Sequence, residues 1–108
     1  MKKLKFLLII SIIGLLIIGC SSKVARIKEQ LDLGSKYMGE LDYENAIIAL
    51  NKAIEIDPKN VDAYAMLAKV YGKSGRPDEA KSTLEKALEI ENLSSQKIDE
   101  INKEIEVL

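Results

Sequence analysis

Residues 27–60, IKEQLDLGSKYMGELDYENAIIALNKAIEIDPKN, and residues 61–94, VDAYAMLAKVYGKSGRPDEAKSTLEKALEIENLS, decide the fold, because the second segment restates the first. At an offset of 34 they share Leu33/Leu67, Tyr37/Tyr71, Ala46/Ala80, Leu50/Leu84, Lys52/Lys86, Ala53/Ala87, Glu55/Glu89 and Ile56/Ile90. Ile27/Val61, Gly34/Ala68, Glu44/Asp78, Ile54/Leu88 and Asp57/Glu91 match conservatively. Such an offset is the mark of a unit that buries its apolar face by stacking on a copy of itself. An unrelated bundle of four helices has no reason to keep small residues and tyrosines in this register.

The punctuation between apolar positions predicts helices at about 24–40, 43–57, 61–74, 77–91 and 95–107. Asp42 is placed to cap a helix that starts at Tyr43, with Glu44 in its first turn. Pro58 and Asn60 end that helix and open the next, and Gly75-Arg76-Pro77 forms a turn with Pro77 at the first helical position. Gly34, Ala46, Ala68 and Ala80 are small where paired helices must cross closely, and Tyr37 and Tyr71 fill the volume beside them. Ala53 and Ala87 let each second helix approach the following hairpin. Further on, Ile98, Ile101 and Ile105 repeat the register of Tyr64, Leu67 and Tyr71 at the same offset, and their spacing makes one narrow apolar stripe on an otherwise polar helix.

Residues 27–60 resemble the tetratricopeptide repeat through Leu33, Gly34, Tyr37, Ala46, Leu50, Ala53 and Pro58, with Gln30 where an aromatic residue is usual. Residues 61–94 resemble it through Tyr64, Leu67, Ala68, Tyr71, Ala80, Leu84 and Ala87, with Asn92 in place of the terminal proline. The resemblance implies an all-α fold: two helix–turn–helix repeats, 27–60 and 61–94, and a solvating helix at 95–108 that closes a short right-handed solenoid. It also implies that the first helix of each hairpin lines a groove for a peptide or partner helix. The matching positions here are Lys28, Leu31, Ser35, Met38, Asn60, Asp62, Ala65, Lys69 and Lys73. Lys69 and Lys73 lie one turn apart, a hint of a partner that carries carboxylates. The lysine and asparagine clamp of the chaperone-binding subclass is not matched, since Leu31 and Ser35 stand at those places.

Residues 1–19 have a different character, with 13 apolar residues and only Lys2, Lys3 and Lys5 as charges. The uncharged run from Phe6 to Ile18 would span roughly 20 Å as a helix, short of the ~30 Å core of a bilayer. That length suits the apolar region of a cleaved signal peptide. Ile17-Ile18-Gly19-Cys20 resembles the lipobox of bacterial lipoproteins. The resemblance implies a diacylated thioether at Cys20, with acyl chains such as palmitate. It further implies cleavage by signal peptidase II between Gly19 and Cys20. The mature chain would then be lipid-anchored on the extracytoplasmic side of a bacterial cell membrane. Residues 20–26 would hold the lipidated cysteine, a short tether and the start of the first helix.

The remaining chain, 20–108, carries 13 basic and 17 acidic side chains, a poor match for phosphate backbones, so no nucleic-acid partner is expected. With no His and one Cys, neither a structural zinc site nor a histidine-based catalytic constellation can be assembled. Gly72-Lys73-Ser74 lacks the glycine and strand that a phosphate-binding loop requires, because residue 67 is Leu. No cofactor and no enzymatic activity are expected. The leading expectation is a membrane-anchored adaptor that binds another protein or peptide at the membrane. The alternative is a structural lipoprotein whose short array completes itself with another copy, a homo-oligomer.

Overall fold

The computed structural model describes the backbone of residues 2–108 and the side chains of residues 3, 5 and 22–108. Five helices follow one another: α1 (Lys2–Gly39), α2 (Tyr43–Ile56), α3 (Val61–Lys73), α4 (Pro77–Leu88) and α5 (Ser95–Val107). Helices α2, α3 and α5 take the bounds read from the sequence to within a residue, and α4 stops a little sooner, at Leu88. One expectation needs correcting. The sequence put the start of the first helix near Val24, whereas α1 is continuous from Lys2 and Ser22 and Lys23 are helical. No proline lies before Pro58 to interrupt this helix. Apart from Lys3 and Lys5, the leader side chains lie outside the described residues, Gly19 and Cys20 among them.

The connections show why the elements end where they do. Past α1, the N–H of Asp42 donates to Tyr37 O at 2.9 Å and that of Leu41 to Met38 O at 3.1 Å. Past α3, Arg76 N–H donates to Tyr71 O at 2.8 Å and Gly75 N–H to Gly72 O at 3.3 Å. These are the same paired bonds that close a helix on a left-handed residue, made again at the matching place in the second repeat. The left-handed residues are Leu41 (φ 61°) and Gly75 (φ 79°). Three of the following helices, α2, α3 and α5, are then capped by a side chain. The Asp42 carboxylate accepts from Asn45 N–H at 3.3 Å and from its side-chain amide at 2.7 Å. Asn60 accepts from Ala63 N–H at 3.1 Å, and Ser94 from Lys97 N–H at 3.2 Å. Helix α4 has no side-chain cap and relies on Pro77 in its first turn, where a missing N–H costs nothing.

Two apolar clusters run through the stack. The first joins Ala46, Ile47 and Leu50 of α2 to Leu67 and Val70 of α3, flanked by Leu31, Tyr37 and Met38 of α1. The second joins Ala68 of α3 to Ala80, Leu84 and Ala87 of α4 and to Ile101 of α5. Tyr71 touches both, which makes it the continuity between repeats. Ala46, Leu50, Ala53, Ala80 and Ala87 are fully enclosed, as the close helix crossings require. At Gly34 the crossing is close: a β-carbon there would stand 2.7 Å from Leu50 Cγ and Cδ2.

Candidate protein-interaction surface

The same offset that builds the stack also leaves a gap in it. Helix α5 follows α4 at the place where the first helix of a third repeat would lie, but only Ile101 of α5 is buried. A cleft of about 720 Å³ lies between its C-terminal half and α3, with the Leu108 side chain reaching toward Gly72. That volume falls within the range of clefts that hold a ligand. Ala65, Ala68 and Gly72 of α3 and Leu84 of α4 line it, and α5 contributes Val107 and Leu108. Lys69 and Lys73 of α3 and Lys103, Glu100 and Glu104 of α5 supply its charges.

These charges are not equivalent. Glu100 accepts an ion pair from Lys97 at 3.3 Å, and Lys97 also reaches Asp62 at 3.8 Å. Among the described residues, Lys69, Lys73 and Lys103 form no ion pair. The α3 side of the cleft is therefore cationic, on a domain whose charge is otherwise acidic.

The groove positions taken from the sequence separate into three groups. Ala65, Lys69 and Lys73 come together in the cleft. Leu31 and Met38 turn into the first apolar cluster, while Asn60 is consumed as the cap of α3 and Asp62 pairs with Lys97. Ser35 is exposed, and Lys28 lies on a shallow hollow along α1 with Glu29, Asp32 and Lys36. The α5 side of the cleft was not among those positions. Its signal was present in the sequence, since Lys103 stands one full repeat after Lys69.

A second polar feature holds the turns rather than facing the cleft. Arg76 donates from Nε and Nη2 to both oxygens of Glu79, at 2.8 and 2.7 Å, and Nη1 lies 3.6 Å from Glu44 of the first repeat. Its guanidinium sits 4.9 Å from the centre of the Tyr71 ring. The hydrogen bond to Glu79 pushes the arginine pKa still higher, so this fork carries its charge throughout the ordinary pH range.

Comparison with known proteins agrees with the architecture. The chain is 40% identical over 58 residues to the type IV pilus assembly protein PilF of Pseudomonas aeruginosa, a match covering 54% of this chain and 23% of that protein. It thus spans about a quarter of the length of that relative. A family model described as tetratricopeptide repeat matches residues 37–96, the span from Tyr37 in α1 to the start of α5. With the repeat offset, the paired helices and the closing α5 already in place, the chain belongs to the tetratricopeptide repeat family.

Proposed function

We propose that this protein is a lipid-anchored adaptor that holds a partner protein against the extracytoplasmic face of a bacterial membrane, within an envelope assembly. The observation that carries the reading is the open α3/α5 cleft, an apolar floor with charged rims on a repeat stack that is otherwise well packed. Repeats of this family bind other proteins, and the name of the pilus-assembly relative supports an assembly role. The leader ending in Ile17-Ile18-Gly19-Cys20 supports the anchor. Affinity capture from native membranes tests it, with the wild-type chain and Cys20→Ser compared side by side. The wild type should be lipid-labelled and should bring down the same partner reproducibly. Loss of label with loss of the partner is the expected outcome for Cys20→Ser, whereas label persisting in that variant would refute the anchor.

The self-associating alternative is disfavoured at one edge of the stack. On α3, Ala63, Leu67 and Val70 are buried, Leu67 and Val70 against α2 of the preceding repeat. The equivalent positions on α1 are Glu29, Leu33 and Lys36, and both charged residues are exposed. A face of this kind resists head-to-tail stacking of a second copy.

A further inference from the structure

We infer that the neck of α1, carrying Lys23, Arg26 and Lys28, docks on the anionic phospholipid headgroups of a bilayer and holds the repeat stack upright over that surface. The inference rests on the membrane anchoring in the adaptor reading and adds a lipid class to it. Three observations carry it. First, the charge reverses along a single helix. Residues 1–28 carry six basic side chains and no acidic one, whereas residues 29–108 carry 10 basic and 17 acidic. An anionic surface therefore attracts the neck and repels the body.

Second, the neck has no use inside the stack. Every residue from Ser22 to Arg26 is exposed, and Ile27 is the first described side chain of α1 to be buried. Among the described residues, Lys23, Arg26 and Lys28 form no ion pair. Val24, 67% exposed, adds an apolar side chain between the cations, a mixture suited to the boundary between headgroups and acyl chains.

Third, the cations ring the helix. At ~100° per residue, Lys23 and Arg26 lie about 60° apart, and Lys28 lies roughly 140–160° from both. A helix lying flat in the interface would gather them on one stripe. A ring fits a helix that crosses the headgroup layer steeply. Along the axis the three stand about 5, 9 and 12 Å beyond residue 20. The headgroup layer is about 5–8 Å deep on each side of a bilayer, and the long stems of lysine and arginine can bend back to it. The first carboxylate, Glu29, falls beyond that layer, which is where the repulsion would begin to hold the body away.

The test uses the full chain purified from bacterial membranes and placed in phosphatidylcholine nanodiscs. The chain has no tryptophan, so Val24→Trp puts a single fluorescent reporter on the neck. The nanodiscs receive equal fractions of either phosphatidylglycerol or phosphatidylcholine, spin-labelled near the headgroup. Comparing the two quenching efficiencies gives the relative association of each lipid with the neck. The anionic lipid should associate at least about fivefold more strongly, with the ratio falling toward one as salt rises. Adding Lys23→Gln and Arg26→Gln should remove the preference, with the helical melting curve confirming that the variant folds. Equal quenching by both lipids in the parent reporter chain, or a preference undiminished by the two glutamines, would overturn the inference. If fatty-acid label persists in Cys20→Ser while the preference holds, the anchor at Cys20 falls and the neck assignment stands. A reporter quenched by neither lipid would remove both.

Discussion

Leu41 and Gly75 occupy equivalent places in the turns of the two repeats, and both adopt left-handed backbone. Glycine does so freely, whereas a side chain with a β-carbon carries roughly 1–2 kcal/mol of strain. Leu41 is 70% exposed and recovers little of this through packing. Leu41→Gly should therefore stabilise the fold by up to about 1 kcal/mol after the entropy of the added glycine is counted. Gly75→Ala should destabilise it by a similar amount, and the midpoints of denaturant unfolding would report both. Gly34 behaves differently, because its constraint is contact and not conformation. The 2.7 Å approach to enclosed Leu50 leaves no space for a methyl group. Gly34→Ala should cost about 1–3 kcal/mol, a large fraction of the stability of a domain this small. An unchanged unfolding midpoint would mean that α1 and α2 do not cross there.

Among the helices, α5 is the most weakly held. Ile101 is its one buried side chain, Ile105 is half-buried, and Ile98, Val107 and Leu108 are exposed. Ile101→Ala should cost ~2–5 kcal/mol if α5 unfolds with the rest. If it detaches alone, hydrogen exchange should quicken across residues 95–107 while α2 and α3 keep their protection, and this is the expected result. A loosened α5 would also open the cleft on one side. Arg76 joins the turns of both repeats through Glu79, Glu44 and the Tyr71 ring. Lysine cannot reproduce that planar fork, so Arg76→Lys should lower the melting temperature, and added salt should narrow the difference. The helices themselves were legible in the sequence because Asp42, Pro58, Asn60 and Pro77 act locally, within a turn of the position they punctuate. The cleft was legible only in part. Ala65, Lys69 and Lys73 followed from the repeat register, but the cleft depends on how far α5 stands from α3, a tertiary distance that no local pattern encodes. Leu31, Met38 and Asn60 depart from the expected surface for the same reason. The register placed them on the right helices, but packing and capping claimed their side chains.

The edges of the whole stack determine what it can join. Restoring on α1 the residues that α3 uses at the same positions, by Glu29→Ala, Asp32→Met and Lys36→Val, should convert the polar edge into a stacking face. Sedimentation in density-matched detergent should then show association in the triple variant and not in the parent. An associating parent would mean that this edge is already an interface. Among the described residues each helix packs chiefly against the next one along the chain, and the contact of α1 with α3 is slight. That nearest-neighbour wiring has a kinetic consequence. Few long loops need to close before native contacts form, so the barrier to folding is set by joining adjacent hairpins rather than by a search through distant pairings. As the chain emerges, the α1–α2 hairpin can close once Leu50 reaches Gly34, with nothing downstream required. The second hairpin then adds to a template already formed, and α5 seals the end last.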